Sequence, residues 1–495
     1  MKGSESYEVI VIGAGIAGLA AAALLSSRGY STCLLEKEDT VGGSLYTLER
    51  SGHRLQGGPH HIGGMADGEL VHSLLSELGL YDPELFLQSP PLQARIGDDQ
   101  ISVPFVLEEL HRELQAAFPG ESPRLSDFFR ELVQFRAALN SNDRELVLGY
   151  FQRWSRMTYA QYLRSFFDHP EIHVYLSVLG PAYGAITPEG NAFTMLSMMA
   201  TYGSGAYYVK GGMYRLAELL HQSILKHGGT VLTGTRMEYA GMEGRTLSSV
   251  FARKDGQLLQ LSGSMFISAG NFLPLYQELK SGLNNRRLDT KIASMTPGPA
   301  ALRLLMCLPP SGRVPGSSDY IVLPSWRTED WPAAMFYNSK TAAEGEQSIS
   351  MISFPTKVDA TLSPAGEHHL LLTVLTLPGQ TVQGGPEARE ANKAILTGTI
   401  HRQFPDLRLD LQQSWLMTPG DLERRTGGIG GSVFGWRRGG SDVIHANAIG
   451  PRSFLDNLYV AGNWGPSFGL FGSLYSAAEV ARLITEREPR AMLHQ

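Results

Sequence analysis

The sequence contains little cysteine. Cys33 and Cys307 are its two cysteines in 495 residues, and each lies in an apolar run. This favours reduced thiols in a protein core over a disulfide or a catalytic thiol. No spacing of histidine and cysteine predicts a metal site. A formal net charge of −6 argues against non-specific nucleic-acid binding, so no nucleic-acid partner is expected.

The sequence also lacks fixed-period repeats, low-complexity segments and an apolar run suited to crossing a membrane. Residues 9–25 are apolar but include three glycines, and the residues before them hold one lysine against two glutamates. A secretory signal needs a basic segment ahead of its apolar core. We therefore expect a cytoplasmic protein.

Glycine is abundant, and its first cluster is a G-x-G-x-x-G motif at Gly13, Gly15 and Gly18. A β-branched run precedes the motif, and an Ala- and Leu-rich segment that predicts a helix follows it. In this order the glycines permit a tight turn, the approach of a pyrophosphate, and close packing of helix on strand. Glu36 ends the next predicted strand, eighteen residues after Gly18, where an acid binds ribose hydroxyls. The pattern predicts a dinucleotide-binding Rossmann unit.

A second glycine pair, Gly42-Gly43, follows the acidic residue directly. A plain NAD-binding unit does not need it, whereas a longer, doubly anchored cofactor such as FAD does. Here the chain resembles the FAD-binding module shared by amine oxidases, phytoene desaturases and related flavoproteins. Those families often carry arginine or lysine after the pair, and this chain carries Ser44 instead.

The whole chain is predicted to be an α/β protein in which a Rossmann-like FAD-binding domain, of the amine-oxidase type, is interleaved with an α+β substrate domain. With 495 residues, the chain is longer than a single compact hydrophobic core usually contains. Helical spacing covers about 103–167, and alternation typical of an antiparallel sheet covers about 297–377. The expected FAD-binding segments are 1–85, 205–290 and 431–495. The expected substrate segments are a helical part at 86–204 and a sheet with a helix at 291–430.

Internal motifs narrow the resemblance. They are GPHHIGGM at 58–65, YVKGGMYRLAELLHQSILKHGG at 208–229, TPGDLERRTGGIGGSVFGW at 418–436 and NLYVAGNWGPSFGLFGSLYSAAEVA at 457–481. Together they resemble the phytoene desaturase-like FAD-dependent oxidoreductases, in the branch of carotenoid isomerases and retinol saturases. The similarity covers nearly the whole chain. It departs at Gly462-Asn463, where the family usually has Gly-Asp.

The resemblance implies one non-covalent FAD, with Met237 beside the adenine and the N-terminus of the last helix aimed at the flavin ring. The residues expected to contact FAD are Gly13, Gly15, Ile16, Ala17, Gly18, Glu36, Lys37, Gly42, Gly43, Ser44, Gly58, Pro59, Met237, Ala269, Gly270, Gly462, Asn463, Gly469, Leu470 and Gly472.

The flavin carries the difficult step in such enzymes, so no catalytic triad is expected. His60 and His61 are the acid–base candidates because they follow a glycine–proline turn near the expected flavin ring. The alternative for both is a loop histidine bonded to backbone. Apolar and aromatic residues are expected to line a substrate pocket, and burial in the core is the alternative for each. They are Tyr183, Met199, Tyr202, Tyr207, Trp464 and Phe468.

These features predict FAD-dependent hydride transfer on a hydrophobic polyene, as desaturation, saturation, redox isomerisation or cyclisation. The substrate expected is a carotenoid-like molecule or a polyene intermediate of natural-product biosynthesis. NADPH is a candidate transient reductant. Two alternatives stay open: a flavin amine oxidase, and a non-catalytic prenyl- or lipid-binding protein of the Rab GDP-dissociation inhibitor type. Peripheral membrane contact through residues 180–209 also stays open, because buried core fits the same composition.

Overall fold

The computed structural model describes residues 5–141, 143–184, 190–283, 285–310, 313–379, 385–437, 449–465 and 467–487. Its strands, in chain order, are β1 (Glu5–Ile12), β2 (Thr32–Leu35), β3 (Thr47–Arg50), β4 (His53–Gln56), β5 (Phe86–Gln88), β6 (Leu92–Ile96), β7 (Asp99–Val103), β8 (Tyr207–Val209), β9 (Thr230–Leu232), β10 (Thr235–Glu243), β11 (Thr246–Lys254), β12 (Gln257–Ser268), β13 (Ala300–Leu308), β14 (Asp319–Leu323), β15 (Ser350–Ser353), β16 (His368–Thr376), β17 (Ser414–Met417) and β18 (Leu458–Val460).

The α-helices of the same residues are α1 (Ile16–Ser27), α2 (Leu70–Glu77), α3 (Leu107–Ala117), α4 (Ser122–Asn140), α5 (Arg144–Trp154), α6 (Tyr159–Arg164), α7 (Pro170–Ser177), α8 (Leu179–Gly184), α9 (Ala192–Tyr202), α10 (Tyr214–Lys226), α11 (Leu273–Leu283), α12 (Arg286–Ala293), α13 (Trp331–Ala334), α14 (Ser339–Ala343), α15 (Pro386–Gln403), α16 (Pro419–Thr426) and α17 (Gly469–Arg487).

The first sheet has the strand order β10-β11-β12-β1-β2-β9, with β18 paired to β12. Its centre is parallel: β1 pairs with both β12 and β2, and β2 pairs with β9. Val9, Ile10 and Val11 of β1 are fully buried, as a strand covered on both faces requires. Three separate stretches of the chain therefore meet in one Rossmann-like sheet.

Helix α1 packs on this sheet between α10 and α17. Its run of four alanines, residues 20–23, is fully buried. Small side chains let the two neighbouring helices and the sheet approach its axis closely. This packing fixes the start of α1 above the end of β1, where the glycine motif lies.

The second sheet has the order β17-β13-β16-β15-β14-β6-β7. It is antiparallel except for the parallel pair of β14 with β6. One face packs on α15, through residues such as Leu304, Leu372 and Ile400. The opposite face carries Ala301, Ile321 and other residues that join the helical layer. The side chains of one strand therefore alternate between these two environments.

Helices α3 to α9 form that layer, with an aromatic core that includes Phe128, Phe135 and Trp154. The apolar side chains of α9, such as Met195 and Met199, are also buried there. Where the burial of residues 180–209 is described, none of them is exposed, which favours the core alternative; peripheral membrane contact stays a prediction. The α/β fold class with a Rossmann-like domain and a second α+β unit is confirmed.

Candidate functional site

A cavity of about 820 Å³ lies between the two sheets. The first sheet and its loops contribute one wall, with Ile12, Leu35 and Ser268 among its residues. The second sheet contributes the other wall, which includes Ala301 and Leu371. The volume lies within the range of small-molecule and cofactor sites. One continuous space thus joins the glycine motif to the substrate sheet.

The first glycine motif has the geometry that a phosphate requires. Gly13 has a φ of +104°, which a residue with a side chain rarely adopts. A Cβ on Gly18 would overlap the carbonyl oxygen of Gly13, so only glycine fits there. A Cβ on Gly15 would meet no protein atom within 4 Å. Since no side chain caps α1, its first backbone N–H groups are left for an anion.

Glu36 is buried at the end of β2 and anchors two turns. Its Oε2 accepts a hydrogen bond from the backbone N–H of Ala14 at 2.8 Å, and its Oε1 accepts one from Glu38 at 3.0 Å. A carboxylate has about four acceptor sites, so these contacts leave capacity for a ribose hydroxyl. The sequence motif predicted that Glu36 binds ribose, but it did not predict that Glu36 also holds the glycine loop in place through the N–H of Ala14.

The second glycine pair lies directly against the first motif. Gly42 donates its N–H to the carbonyl of Ala14 at 2.8 Å. A Cβ on Gly43 would come within 3.1 Å of the Cα of Gly15, and Gly43 has a φ of +57°. The two motifs are therefore parts of one backbone cradle.

The carboxyl-terminal motif closes the cavity from another side. Gly462 has a φ of +85°, and a Cβ there would lie 3.2 Å from the Cβ of Ala17. Asn463 accepts a hydrogen bond from Ser473 of α17 at 3.2 Å, which fixes its amide beside the cavity. The N-terminus of α17 begins at Gly469, which also lines the cavity.

Most of the residues expected to bind FAD line this cavity. They are Gly13, Gly15, Ile16, Ala17, Glu36, Lys37, Gly42, Gly43, Ser44, Gly58, Pro59, Met237, Ala269, Gly270, Gly462, Asn463, Gly469 and Leu470. Gly18 and Gly472 do not line it, because both pack within helices. Gly18 meets Gly13, and a Cβ on Gly472 would lie 3.0 Å from Ser467. Both glycines permit close backbone packing, and direct contact of either with FAD stays a prediction.

Of the expected substrate pocket, Tyr202 and Trp464 line the cavity. Met199, Tyr207 and Phe468 are not among the residues that line it, and their place in a substrate pocket stays a prediction. Met199 points into the helical layer, where its sulfur accepts a hydrogen bond from Tyr159 at 3.1 Å. Tyr207 belongs to β8, where it pairs with Gln88 of β5. The side chain of Tyr183 lies outside the described residues.

His60 and His61 converge on a carboxylate that the sequence motifs did not single out. The Nε2 atom of His60 lies 3.1 Å from Asp319 Oδ1, and Nε2 of His61 lies 3.3 Å from Oδ2. Tyr208 donates its hydroxyl to both oxygens at 3.0 Å. His60 also contacts the hydroxyl of Ser353 at 3.0 Å. Both histidines and Asp319 line the cavity.

Asp319 is buried, and burial raises the pKa of its carboxyl. The two histidines and their hydrogen bonds outweigh burial and hold the pKa of Asp319 well below its ordinary value. Burial lowers the pKa of His61. Burial and the charge of Asp319 raise the pKa of Tyr208 well above its ordinary value, so this hydroxyl stays a donor. The cluster is thus a carboxylate surrounded by donors, and it orients both imidazoles.

Arg303 is a second charged residue of the cavity that the motifs missed. It is 8% exposed and lies on β13, where it faces the cavity. It donates a hydrogen bond from Nη1 to the carbonyl of Gly57. The sequence does contain a pattern that could have identified it, because Arg303 is the one charged residue in the otherwise apolar segment 300–308. Asp319 gave a similar signal at the start of an apolar strand.

Comparison with known proteins supports the Rossmann-like unit. Residues 11–78 match the family model described as NAD(P)-binding Rossmann-like domain. The chain is 24% identical to the all-trans-retinol 13,14-reductase of Rattus norvegicus, over 98% of this chain and 86% of the relative. Matches to the macaque and human proteins of that name cover 63% of those chains. The 4,4'-diapolycopen-4-al dehydrogenase of Metabacillus indicus is 22% identical, over 92% of each chain.

Solved structures share the fold. An oxidoreductase from Methanosarcina mazei superposes with a TM-score of 0.64 at 16% identity, covering 96% of this chain and all of the other. A variant of putrescine oxidase gives a TM-score of 0.62 at 14% identity, covering 98% of this chain and all of the other. At these identities the likeness concerns fold alone.

Among the helices that the structure describes, none is both long and apolar enough to span a bilayer. The relatives that match along most of the chain are oxidoreductases by name, which confirms the enzyme class expected from the motifs. The chain is thus similar to phytoene desaturase-like oxidoreductases and contains a Rossmann-like dinucleotide-binding domain.

Proposed function

We propose that this enzyme binds FAD non-covalently in the cavity and catalyses hydride transfer on a hydrophobic polyene. One observation carries the proposal: the same cavity contains the phosphate-suited glycine cradle, an apolar sheet face and an oriented histidine pair. The names of the rat and Metabacillus relatives point to retinol and to diapolycopenal, which are both polyenes. Desaturation, saturation and isomerisation are all compatible with this arrangement.

The residues of the cradle fit FAD. The open space at Gly15, the uncapped start of α1 and the adjoining Gly43 provide a pyrophosphate site. Glu36 has acceptor capacity for a ribose at one end, and Gly469 at the start of α17 lies at another part of the same cavity. When bound, FAD would supply the hydride acceptor or donor. The chain itself would exclude water, orient the substrate and manage the accompanying proton.

His60 is the residue we assign to that proton. Its Nε2 atom faces Asp319 and Ser353, and its Nδ1 atom is buried without a hydrogen-bond partner among the described residues. An imidazole oriented by a carboxylate can hold a proton on the opposite nitrogen. His61 is a positioning residue, because it contacts both Asp319 and Ser89.

The test of the function is a visible spectrum of the purified protein followed by product analysis. A flavin band with FAD released on denaturation is expected. All-trans-retinol and a diapocarotenoid aldehyde are then incubated with the enzyme under air, and anaerobically with NADPH. Mass spectrometry separates loss of two hydrogens, gain of two hydrogens and unchanged mass with a new retention time. A colourless protein that binds no added FAD would contradict the proposal.

Replacing His60 tests its assigned role. His60→Gln should lower turnover by roughly 10²- to 10⁴-fold, the usual contribution of a general acid or base. Flavin content should stay unchanged, and the pH dependence of turnover should lose one limb. His111→Gln is the matched control, since His111 stacks on Phe129 in the helical layer. Unchanged turnover and pH profile in His60→Gln would reject the assignment.

The amine oxidase alternative is less well supported, because the putrescine oxidase likeness is one of fold only. The non-catalytic alternative does not agree with relatives that are oxidoreductases by name. NADPH as reductant stays a proposal, and the anaerobic arm of the experiment above decides it.

A further inference from the structure

Arg303 is a buried cation in an apolar strand. The other eight residues of β13 are apolar, and Arg303 itself is 8% exposed. Its neighbour Leu302 faces the α15 side of the second sheet. Alternation along the strand therefore directs Arg303, like Ala301, toward the cavity. The proposed function assigns no role to Arg303.

The guanidinium is incompletely satisfied. Its single hydrogen bond in the described residues runs from Nη1 to the carbonyl of Gly57, and Nε is buried without a partner. Guanidinium offers five N–H donors and stays charged in proteins. A buried charge is costly unless an opposite charge or strong acceptors compensate it. The described side chains supply no such partner.

Asp319 does not compensate the charge of Arg303, although it lines the same cavity. Strands β16 and β15 stand between β13 and β14, so three strand spacings separate the two residues. At the usual spacing this is about 14 Å. Asp319 is also already occupied by His60, His61 and Tyr208. The cavity thus has two polar sites on an otherwise largely apolar sheet face, and one of them is cationic.

We infer that Arg303 binds an oxyanion carried by the substrate, so that the substrate is an apolar chain ending in a carboxylate or a similar oxygen anion. A guanidinium matches a carboxylate with two parallel hydrogen bonds. Thr373, directly opposite Arg303 on β16 and also on the cavity wall, adds a hydroxyl beside it. This inference rests on the proposed function and narrows its substrate class to amphipathic chains.

A carbonyl or reduced-ring anion of the flavin is a second source of the same acceptor chemistry. The two sources predict different results when Arg303 is removed. A substrate contact changes the preference for acids over esters and leaves the flavin unaffected. A flavin contact lowers flavin content or shifts the flavin absorption band and leaves that preference unaltered.

The experiment measures binding by isothermal titration calorimetry on the flavin-loaded protein. The ligands are two acid and ester pairs: all-trans-retinoic acid with its methyl ester, and palmitic acid with its methyl ester. The saturated pair makes the result independent of whether the substrate is a polyene. We expect each acid to bind at least tenfold more tightly than its ester, as a charge-assisted hydrogen bond predicts.

Arg303→Met should abolish this preference, and Arg303→Lys should retain part of it because the charge remains. Arg95→Met is the matched control. Arg95 lies on β6 of the same sheet and also donates to a backbone carbonyl, but it stacks on Phe404 on the α15 side. Its removal should leave the preference intact with unchanged flavin content.

Equal affinity of acid and ester in the wild-type protein overturns the inference, as does a preference that survives in Arg303→Met. A flavin defect in Arg303→Met with an intact preference overturns it in favour of the flavin. Discrimination within the palmitic pair alone supports the oxyanion site and counts against the polyene. Failure of the proposed function is thus distinguishable from failure of this inference.

Discussion

Two glycines of one motif should respond to the same substitution in opposite ways. Gly15→Ala places a methyl group in the open space of the cradle, whereas Gly18→Ala forces one against the carbonyl of Gly13. The first change should remove the cofactor and spare the apoprotein. The second should destabilise the apoprotein. Both variants add one methyl group three residues apart, so they are matched controls for each other.

The magnitudes follow from local geometry. Gly15 has φ −68° and ψ 174°, which alanine adopts without strain. Alanine is a poorer N-cap than glycine by about 1 kcal/mol, but loses about 0.4–1 kcal/mol less backbone entropy on folding. The stability of the apoprotein should therefore change by less than about 1 kcal/mol. Displacing a pyrophosphate from one or two backbone N–H groups should cost about 2–4 kcal/mol, or roughly 30- to 700-fold in Kd.

For Gly18→Ala the clash is with backbone, so β1 and α1 must separate. Overpacking of this kind typically costs about 1–3 kcal/mol. Urea denaturation of the apoprotein measures its free energy of unfolding. Titration with FAD, followed by flavin fluorescence, measures the Kd for the cofactor. Full flavin occupancy with unchanged affinity in Gly15→Ala would refute the assignment of the cradle. Equal destabilisation of the two apoproteins would refute the geometric argument.

Three further predictions concern buried polar groups and the cavity wall. Asp319→Asn replaces the carboxylate that accepts hydrogen bonds from Tyr208 and the two histidines, and should lower the free energy of unfolding at pH 7 by about 1.5–3 kcal/mol, measured in urea. Since the pKa of Asp319 is depressed, wild-type stability from this group should persist at neutral pH and fall only below its ordinary pKa near 4; Asp319→Asn should lack that acid limb. Burial lowers the pKa of His369 from 6.5 to about 3, so the unfolded chain takes up the proton first. The free energy of unfolding should therefore fall by about 1.4 kcal/mol per pH unit as the pH drops from 6.5 toward 3. His369→Gln should flatten this slope, and an unchanged slope would reject the assignment to His369. Trp464→Ala should raise KM for a polyene about tenfold or more through lost apolar contact, with flavin content unchanged; an unaltered KM would remove Trp464 from the substrate pocket.

Local motifs predicted the dinucleotide cradle because its parts are close in sequence. Gly13, Gly15 and Gly18 form one turn, and Glu36 ends the adjacent strand after a single helix. The hydrophobic periods of 3.6 and 2 also located the helical insert and most strands of the second sheet. These features depend on spacing within a few tens of residues, and such spacing is visible without a structure.

Side-chain direction in the helical insert was not visible in that way. Met199 and Tyr202 lie three residues apart on α9, yet Met199 packs against Tyr159 while Tyr202 reaches the cavity. Composition alone shows that both residues belong to one apolar, aromatic helix, and it does not show which of them faces the cavity. Which of its faces meets the cavity depends on how the helical layer packs on the second sheet.

The sequence by itself determined the Rossmann-like unit, the family resemblance and the candidate pair His60 and His61. The tertiary structure decided which carboxylate orients that pair and which cation shares their cavity. Asp319 lies 259 residues from His60, and Arg303 lies 246 residues from Gly57. No local period relates positions so far apart, because the order of strands in a sheet brings them together only after the chain has folded.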